Sequence, residues 1–412
     1  MADSKAEIVI VGAGIIGLSI AYQLARRGAG RIMILEKAAA VAEGSTGASS
    51  AVLRQRYSNP EMIRLARDGL RAYSNWSEFT GLSEPRAVYQ RTGMIWMVGD
   101  TPEAAAAHAE LMRNEGIDAE VLDAAELQRR FPALAACSSA LDLSGATEHE
   151  CADGGPFLFE RDAGYTDPVG AAQDLLEAAL REGVELRLRQ RVTSIRRSGG
   201  RITGVDLAGG CSIDSPLVIN AAGPWCNQLN SMAGIKVPWT LSPMRVQVLH
   251  RDRPTEIDGP LPVVADTTGG IYLRPEGRGQ QILIGAIEEE HEVIADPDDF
   301  QRGVDPEYRE TKILGLHHRL PALPHRGRVT GLAGLYTVNE EDVHPILGPT
   351  ELDGFLVANG FSGHGFKLAP MIGSQIAQSL TGKRASFDTD VPIDYLRVDR
   401  EPITVQSKTA VA

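Results

Sequence analysis

Residues 7–36, EIVIVGAGIIGLSIAYQLARRGAGRIMILE, leave the N-terminal part of this chain few choices of fold. Residues 7–11 form a short, nearly unbroken apolar run rich in β-branched side chains, the pattern of a strand buried on both faces of a parallel sheet. Gly12-Ala13-Gly14-Ile15-Ile16-Gly17 follows at once. Apolar residues then recur at helical spacing (Leu18, Ala21, Tyr22, Leu24, Ala25) up to Gly28, a suitable helix C-cap. Residues 31–35 read as a second strand, ended by Glu36. This is the order of a dinucleotide-binding finger. Gly12 permits the tight turn, Gly14 lets backbone approach a pyrophosphate, and Gly17 lets the helix pack close to the sheet. Unpaired N–H groups at the helix start, with the positive end of the helix dipole behind them, face the phosphates. Glu36 lies 19 residues after Gly17, where a carboxylate accepts the ribose hydroxyls and repels a 2′-phosphate, which disfavours NADP. The finger itself fits FAD and NAD alike.

Later segments bear on that choice. Residues 42–57, AEGSTGASSAVLRQRY, suit a small-residue loop laid against a cofactor and leading to Arg54. Residues 217–225, LVINAAGPW, end a strand in small residues. Residues 354–358 read as a last buried strand, followed by NGFSGHGFK at 359–367 and a helix to about residue 380. A helix N-terminus at this third segment favours an anion, as at the pyrimidine edge of a reduced flavin, and NAD needs no such segment.

Between these segments the pattern changes. Residues 60–79, 102–115, 124–130 and 306–320 have helical character, and 88–98 looks like strands of a second sheet. Asp167-Pro168 fits an N-cap followed by N1 of a helix running to about residue 182. Strands follow at 185–189 and 192–197, and a hairpin crosses Gly199-Gly200 into 202–207. From residue 237 to 293 the chain reads as all-β. The expected fold is therefore α/β (α+β): a Rossmann-like cofactor domain made of 1–84, 150–226 and 327–390, and a discontinuous substrate domain of 85–149 and 227–326 built on a large antiparallel sheet. A poorly packed polar tail is expected at 391–412.

With 412 residues and a net charge of −13, the chain is not a nucleic-acid binder by charge, and an anionic substrate needs a locally basic pocket. Cys137, Cys151, Cys211 and Cys226 are scattered without a CxxC pair and read as reduced and structural, and no metal-ligand spacing stands out. His317-His318 and Glu288-Glu289-Glu290 read as solvated faces. The polar residues 1–7 and the lack of an apolar run of about 18–20 residues point to a cytoplasmic protein without a transmembrane segment.

The motifs GAGIIG with Glu36, GSTGASSAVLR (44–54), DAGYTDP (162–168), NAAGPW (220–225), PMRVQ (243–247), GLYT (334–337) and NGFSGHGFK (359–367) resemble, in order and over nearly the whole chain, the D-amino-acid oxidase superfamily of FAD enzymes. The resemblance is greatest to the branch of sarcosine oxidases and dimethylglycine dehydrogenase. It implies oxidation of the C–N bond of a small amino acid, a secondary or N-methylated amine such as sarcosine, to an imine by hydride transfer to FAD. It also implies a substrate with a free carboxylate, and O₂ or another electron acceptor. Arg54 and Lys367 match the family's carboxylate-binding pair, and His364 and Tyr336 match pocket residues. The cofactor set it implies is Gly12, Gly14, Ile16, Gly17, Glu36, Lys37, Ser45, Thr46, Ser49, Ser50, Val192, Gly223, Trp225, Gly334, Gly360, Gly363, His364, Gly365 and Lys367. Gly334 stands where monomeric sarcosine oxidase has its flavin-linking cysteine, and Ser45-Thr46-Gly47-Ala48-Ser49-Ser50 holds no histidine anchor. Noncovalent FAD is expected. Aligned on the family, Leu283 takes the place of a lysine that promotes reaction with oxygen, which favours a dehydrogenase; core packing is the other reading of Leu283. A glycine or D-amino acid oxidase, a non-catalytic flavin-binding assembly factor, and membership of a hetero-oligomer are the alternatives.

Overall fold

The computed structural model describes residues 4–139, 141–142, 149–287 and 293–405. Ile8–Val11 pairs in parallel with Ile32–Leu35 on one side and Val218–Asn220 on the other. Ile8 and Ile10 pack with Leu18, Ala21 and Leu24 under the first helix, whereas Val9 and Val11 face the opposite core with Val205, Ile213 and Leu229. Burial on both faces explains why this strand reads as an unbroken apolar run. The six-stranded sheet runs Glu185–Arg187, Ile32–Leu35, Ile8–Val11, Val218–Asn220, Phe355–Asn359, Ile346–Pro349, parallel up to the antiparallel last pair.

Helices Ile15–Arg26 and Gly365–Thr381 lie against each other on this sheet. Their contact is close: a Cβ on Gly373 would stand 2.3 Å from Ser19 Oγ, and Ser19 donates to the Ala369 carbonyl at 2.7 Å. The final helix is thereby fixed to the finger helix, so the two glycine-rich segments open toward one cleft.

The second sheet has nine strands, antiparallel except where Val263–Asp266 runs parallel to Met94–Met97. A third core lies beneath it, where Leu273, Ile282 and Ile284 meet Tyr308, Leu316 and Leu320 of and beside helix Pro306–Arg319. Two strands fall outside the expected domain boundaries. Phe157–Glu160 pairs with Met94–Met97, and Val329–Asn339 pairs along its length with Leu241–Asp252, so both belong to the nine-stranded sheet. Their apolar runs do not reveal which sheet they join, because either sheet would bury them.

Three other expectations are corrected. The helical stretch 60–79 is two helices, Pro60–Ser74 and Trp76–Thr80, broken at Asn75, whose side-chain amide donates to the Arg71 carbonyl at 2.8 Å. Residues 391–398 of the expected tail are packed: Val391, Leu396 and Val398 are buried, and the Leu396 carbonyl accepts from Leu347 N at 2.8 Å. His317 and His318 are half-buried near the end of helix Pro306–Arg319 rather than on a solvated face. Glu288-Glu289-Glu290 lies outside the described residues. No helix among the described residues is long and apolar enough to cross a membrane.

Candidate active site

A cavity of about 480 Å³ opens beyond the ends of the parallel strands, bounded there by Val11, Leu35 and Ala221. Gly12 has φ +112°, and a Cβ at this position would lie 2.4 Å from the Ala221 carbonyl oxygen. Only glycine meets both conditions, which leaves the turn backbone facing the cavity. The helix start is held from the small-residue loop, where Thr46 Oγ1 accepts from Ile15 N at 3.0 Å. The Glu36 carboxylate accepts from Ala13 N and Ala38 N, each at 2.8 Å, and is thereby fixed in the cavity wall.

Of the residues expected to hold a cofactor, Gly12, Gly14, Ile16, Glu36, Lys37, Ser45, Thr46, Ser49, Val192, Gly223, Trp225, Gly363 and Gly365 line this cavity. Gly17, Gly334 and Gly360 stand behind it and make room for packing. A Cβ on Gly17 would lie 2.0 Å from the Gly12 carbonyl oxygen, one on Gly334 2.6 Å from Ala48 Cβ, and one on Gly360 2.9 Å from Leu241 Cδ2. Ser50, His364 and Lys367 line the neighbouring pocket instead.

The rim carries a charged clasp centred on Asp298, which the expected set lacks, and joined by Lys37 and Trp225, which it holds. Asp298 accepts from Lys37 Nζ at 2.8 Å, Trp225 Nε1 at 2.9 Å and Gln228 Nε2 at 3.3 Å, and Arg191 adds an ion pair at 3.3 Å. Burial works to raise the Asp298 carboxyl, but Lys37, Trp225 and Gln228 together hold it well below the usual carboxylate range. Lys37 Nζ also lies 3.5 Å from the Trp225 ring centroid.

A smaller pocket, about 70 Å³, adjoins the first and shares Ser49, Tyr336, Gly363 and Phe366 with it. Arg54, Lys367, His364 and Tyr336, widely separated in sequence, all line it, with Met94, Trp96, Val263, Ala265 and Ile287 as apolar wall. Lys367 is 6 % exposed and Arg54 4 % exposed. Lys367 is held at the start of the last helix by close backbone contact: a Cβ on Gly69 would lie 2.3 Å from the Lys367 carbonyl oxygen, and Tyr73 donates to the Phe366 carbonyl at 2.8 Å. Burial, and after it the charge of Arg54, push the Lys367 amine well below the usual lysine range, opposed by Glu160. Arg54 follows the short strand Val52–Leu53 and donates to the Arg56 carbonyl. His364 stacks edge-on against Tyr57, ring centroids 5.3 Å apart.

Glu160 connects this loop to the nine-stranded sheet. Its carboxylate accepts from Gln55 N at 2.7 Å, Arg56 N at 3.1 Å and Trp96 Nε1 at 2.7 Å. Burial raises its pKa above the ordinary glutamate value in spite of these donors and the charge of Arg54. Nothing in the sequence around Glu160 marks it, since its partners come from two other segments. Tyr57, three residues after Arg54, belongs to the same site; only its place beside the arginine hints at this.

A family model described as "FAD dependent oxidoreductase" (DAO) matches residues 7–379. The chain belongs to this family. Among curated relatives of this FAD-dependent oxidoreductase, the FAD-dependent oxidoreductase domain-containing protein 1 of Xenopus laevis is 29 % identical over 400 residues, which cover 91 % of this chain and 79 % of the relative. Monomeric sarcosine oxidase of Streptomyces avermitilis is 29 % identical over 399 residues, covering 92 % and 94 %. Among solved structures, L-proline dehydrogenase from P. horikoshii superposes with a TM-score of 0.81 at 24 % identity, covering 96 % of this chain and 98 % of that one, and shares the fold.

The larger cavity fits the FAD of this family. The turn at Gly12 is a cradle that a Cβ would fill. The Glu36 carboxylate suits ribose hydroxyls. The start of helix Ile15–Arg26 supplies the N–H-rich end that a pyrophosphate requires. Gly363 and Phe366, at the start of helix Gly365–Thr381, lie where the two cavities meet.

Proposed function

We propose that this FAD-dependent oxidoreductase oxidises the C–N bond of a small amino acid, a secondary or N-methylated amine such as sarcosine, to an imine. The observation that carries the proposal is the pair Arg54 and Lys367, two buried basic groups lining one small pocket beside the FAD cavity. Glu160 is a buried carboxylate that acts on both, and it is already engaged by three donors. Bringing a further anion into the pocket relieves the repulsion between the two cations, and a substrate carboxylate supplies it. Arg54 offers a planar fork and Lys367 a point charge. The carboxylate end thus fixes the substrate, and the apolar wall of Met94, Trp96, Val263, Ala265 and Ile287 limits the group on the other side.

Bound FAD would supply the hydride acceptor for the carbon beside nitrogen. The chain's own task is orientation and exclusion of water. His364, 1 % exposed and lining the pocket, is placed to orient the amine or take its proton, because hydride loss requires a neutral amine. Gly334 and residues 45–50 offer neither of the family's flavin anchors, so FAD is held noncovalently and is released by acid precipitation.

The test is anaerobic bleaching of the flavin by a panel of N-alkyl, D- and L-amino acids and their decarboxylated counterparts. N-methylated amino acids should bleach it and the decarboxylated amines should not. Arg54→Ala and Lys367→Ala should each lower kcat/KM about 30-fold or more while keeping FAD, since removing one partner of a buried charged contact costs roughly 2–5 kcal/mol. Parental kinetics in both variants, or bleaching by the decarboxylated amines, would refute the carboxylate grip.

A further inference from the structure

A second cluster of reactive side chains lies away from the cofactor and substrate pockets, joined through Arg319 to Asp266 at the end of strand Val263–Asp266. Cys137 Sγ and His149 Nε2 are 3.3 Å apart. Cys137, His149 and His318 each place a ligand atom within 4.8 Å of the others. Cys151 is hydrogen-bonded with the same Cys137 thiol. The His149 and His318 rings meet edge to face at 4.7 Å. Both ring nitrogens of His318 are buried, and its ring faces the Cys137 thiol.

The scaffold under the cluster is rigid. Arg319, next to His318, makes a fully buried ion pair with Asp266 at 2.9 Å and donates to the carbonyls of Ala135 and, at 3.0 Å, Cys137. Cys137 and Asp153 form an antiparallel bridge, Ser138 N donates to the Ala152 carbonyl at 3.1 Å, and Gly154 N donates to the Ala136 carbonyl at 2.9 Å. These bonds pin the segment that carries Cys151 beside the one that carries Cys137, and hold both against the end of helix Pro306–Arg319. Sequence spacing does not show the set, because His318 lies 167 residues after Cys151.

We propose that Cys137, Cys151, His149 and His318 bind a zinc ion with tetrahedral S₂N₂ coordination. Two thiolates and two imidazoles are the donor set that selects zinc over hard cations. Tetrahedral bond lengths of about 2.0–2.3 Å place ligand atoms about 3.3–3.8 Å apart. Cys137, His149 and His318, within 4.8 Å of one another, need only small side-chain movements to close on an ion, and Cys151 completes the set by turning in from its contact with Cys137. Four protein ligands leave no open position, so the ion is structural. It ties Cys137, His149 and Cys151 to the helix end through His318.

The test is the zinc and FAD content of the same purified holoenzyme after gel filtration in metal-free buffer, with zinc by mass spectrometry and FAD by absorbance. The parent should hold about one zinc per chain. Cys151→Ser and His149→Ala, both at exposed positions, should lose it at least tenfold with FAD unchanged, and Cys137→Ser should do the same. In the parent, a thiol reagent should label Cys151 only after a chelator has been added. Zinc at buffer level in the parent, or retained in the cysteine variants, overturns the proposal. So does a Cys137–Cys151 disulfide in place of a metal site, seen as an intact mass two hydrogens short that reductant restores and located by peptide mapping.

Discussion

The guanidinium of Arg54 stands 4.5 Å from the ring centroid of Tyr57. Tyr57 is fully buried, and burial pushes its phenol up to about 12, so the ring stays neutral under all working conditions. Its face therefore works as a fixed rest for the arginine, and the Trp96 ring lies 5.3 Å from the same guanidinium. A desolvated cation–π contact contributes roughly 0.5–2 kcal/mol. Tyr57→Leu should raise KM about 2- to 30-fold with kcat changed less, whereas Tyr57→Phe, which keeps the ring, should stay near the parent. Steady-state kinetics of the two variants separate a positioning ring from a reacting hydroxyl: equal losses would assign the role to the hydroxyl.

Lys367 makes the grip pH-dependent. Its amine titrates below the ordinary lysine range because of burial and the charge of Arg54. A bound carboxylate favours the protonated form and raises the value again. Affinity for a carboxylate is thus complete below the pKa of the free site and falls as pH rises through it, ending at the higher pKa of the complex. Acetate binding, followed by its perturbation of the flavin spectrum, should weaken with rising pH well before an ordinary lysine (about 10.4) would titrate. Lys367→Arg should remove this decline. A flat profile in the parent would show that Lys367 does not carry the anion.

Asp298 closes the rim of the FAD cavity through Lys37, Trp225, Gln228 and Arg191. Lys37 and Asp298 keep 28 % and 36 % side-chain exposure, so solvent screening limits the strength of the clasp. Asp298→Asn should speed FAD dissociation about two- to fivefold, corresponding to ~0.5–1 kcal/mol, and salt should narrow the gap between variant and parent. Transfer of FAD to an excess of an apoflavoprotein, followed by fluorescence, measures the rate.

Leu283 is 3 % exposed and pairs across the strands with Arg274 on one side and His250 on the other. Arg274 is ion-paired with Glu276 at 2.6 Å and donates to the Ser50 carbonyl at 2.5 Å. Its charge is already committed, and leucine adds none for a developing superoxide. Enzyme reduced by substrate should therefore reoxidise in air-saturated buffer more slowly than it turns over with a dye acceptor. Stopped-flow reoxidation as fast as turnover, with stoichiometric peroxide, would make it an oxidase.

Much of this protein is written locally. The finger was legible because each step, apolar strand, glycine turn, periodic helix and terminal acid, follows from neighbouring residues, and the helix start at Asp167-Pro168 was legible for the same reason. Family membership was legible because its motifs keep their order along 7–379. What only the tertiary structure decided involves partners far apart in sequence. Phe157–Glu160 and Val329–Asn339 are apolar enough for either sheet, and only pairing assigns them to the nine-stranded one. Glu160 acquires its role from Gln55, Arg56 and Trp96, Asp298 from Lys37 and Trp225, and His318 from Cys137 and His149. Local pattern reports what a residue needs from its own element, burial or a cap. Electrostatic and ligand chemistry depends on which side chains the fold brings within a few ångströms, and that is set by long-range packing.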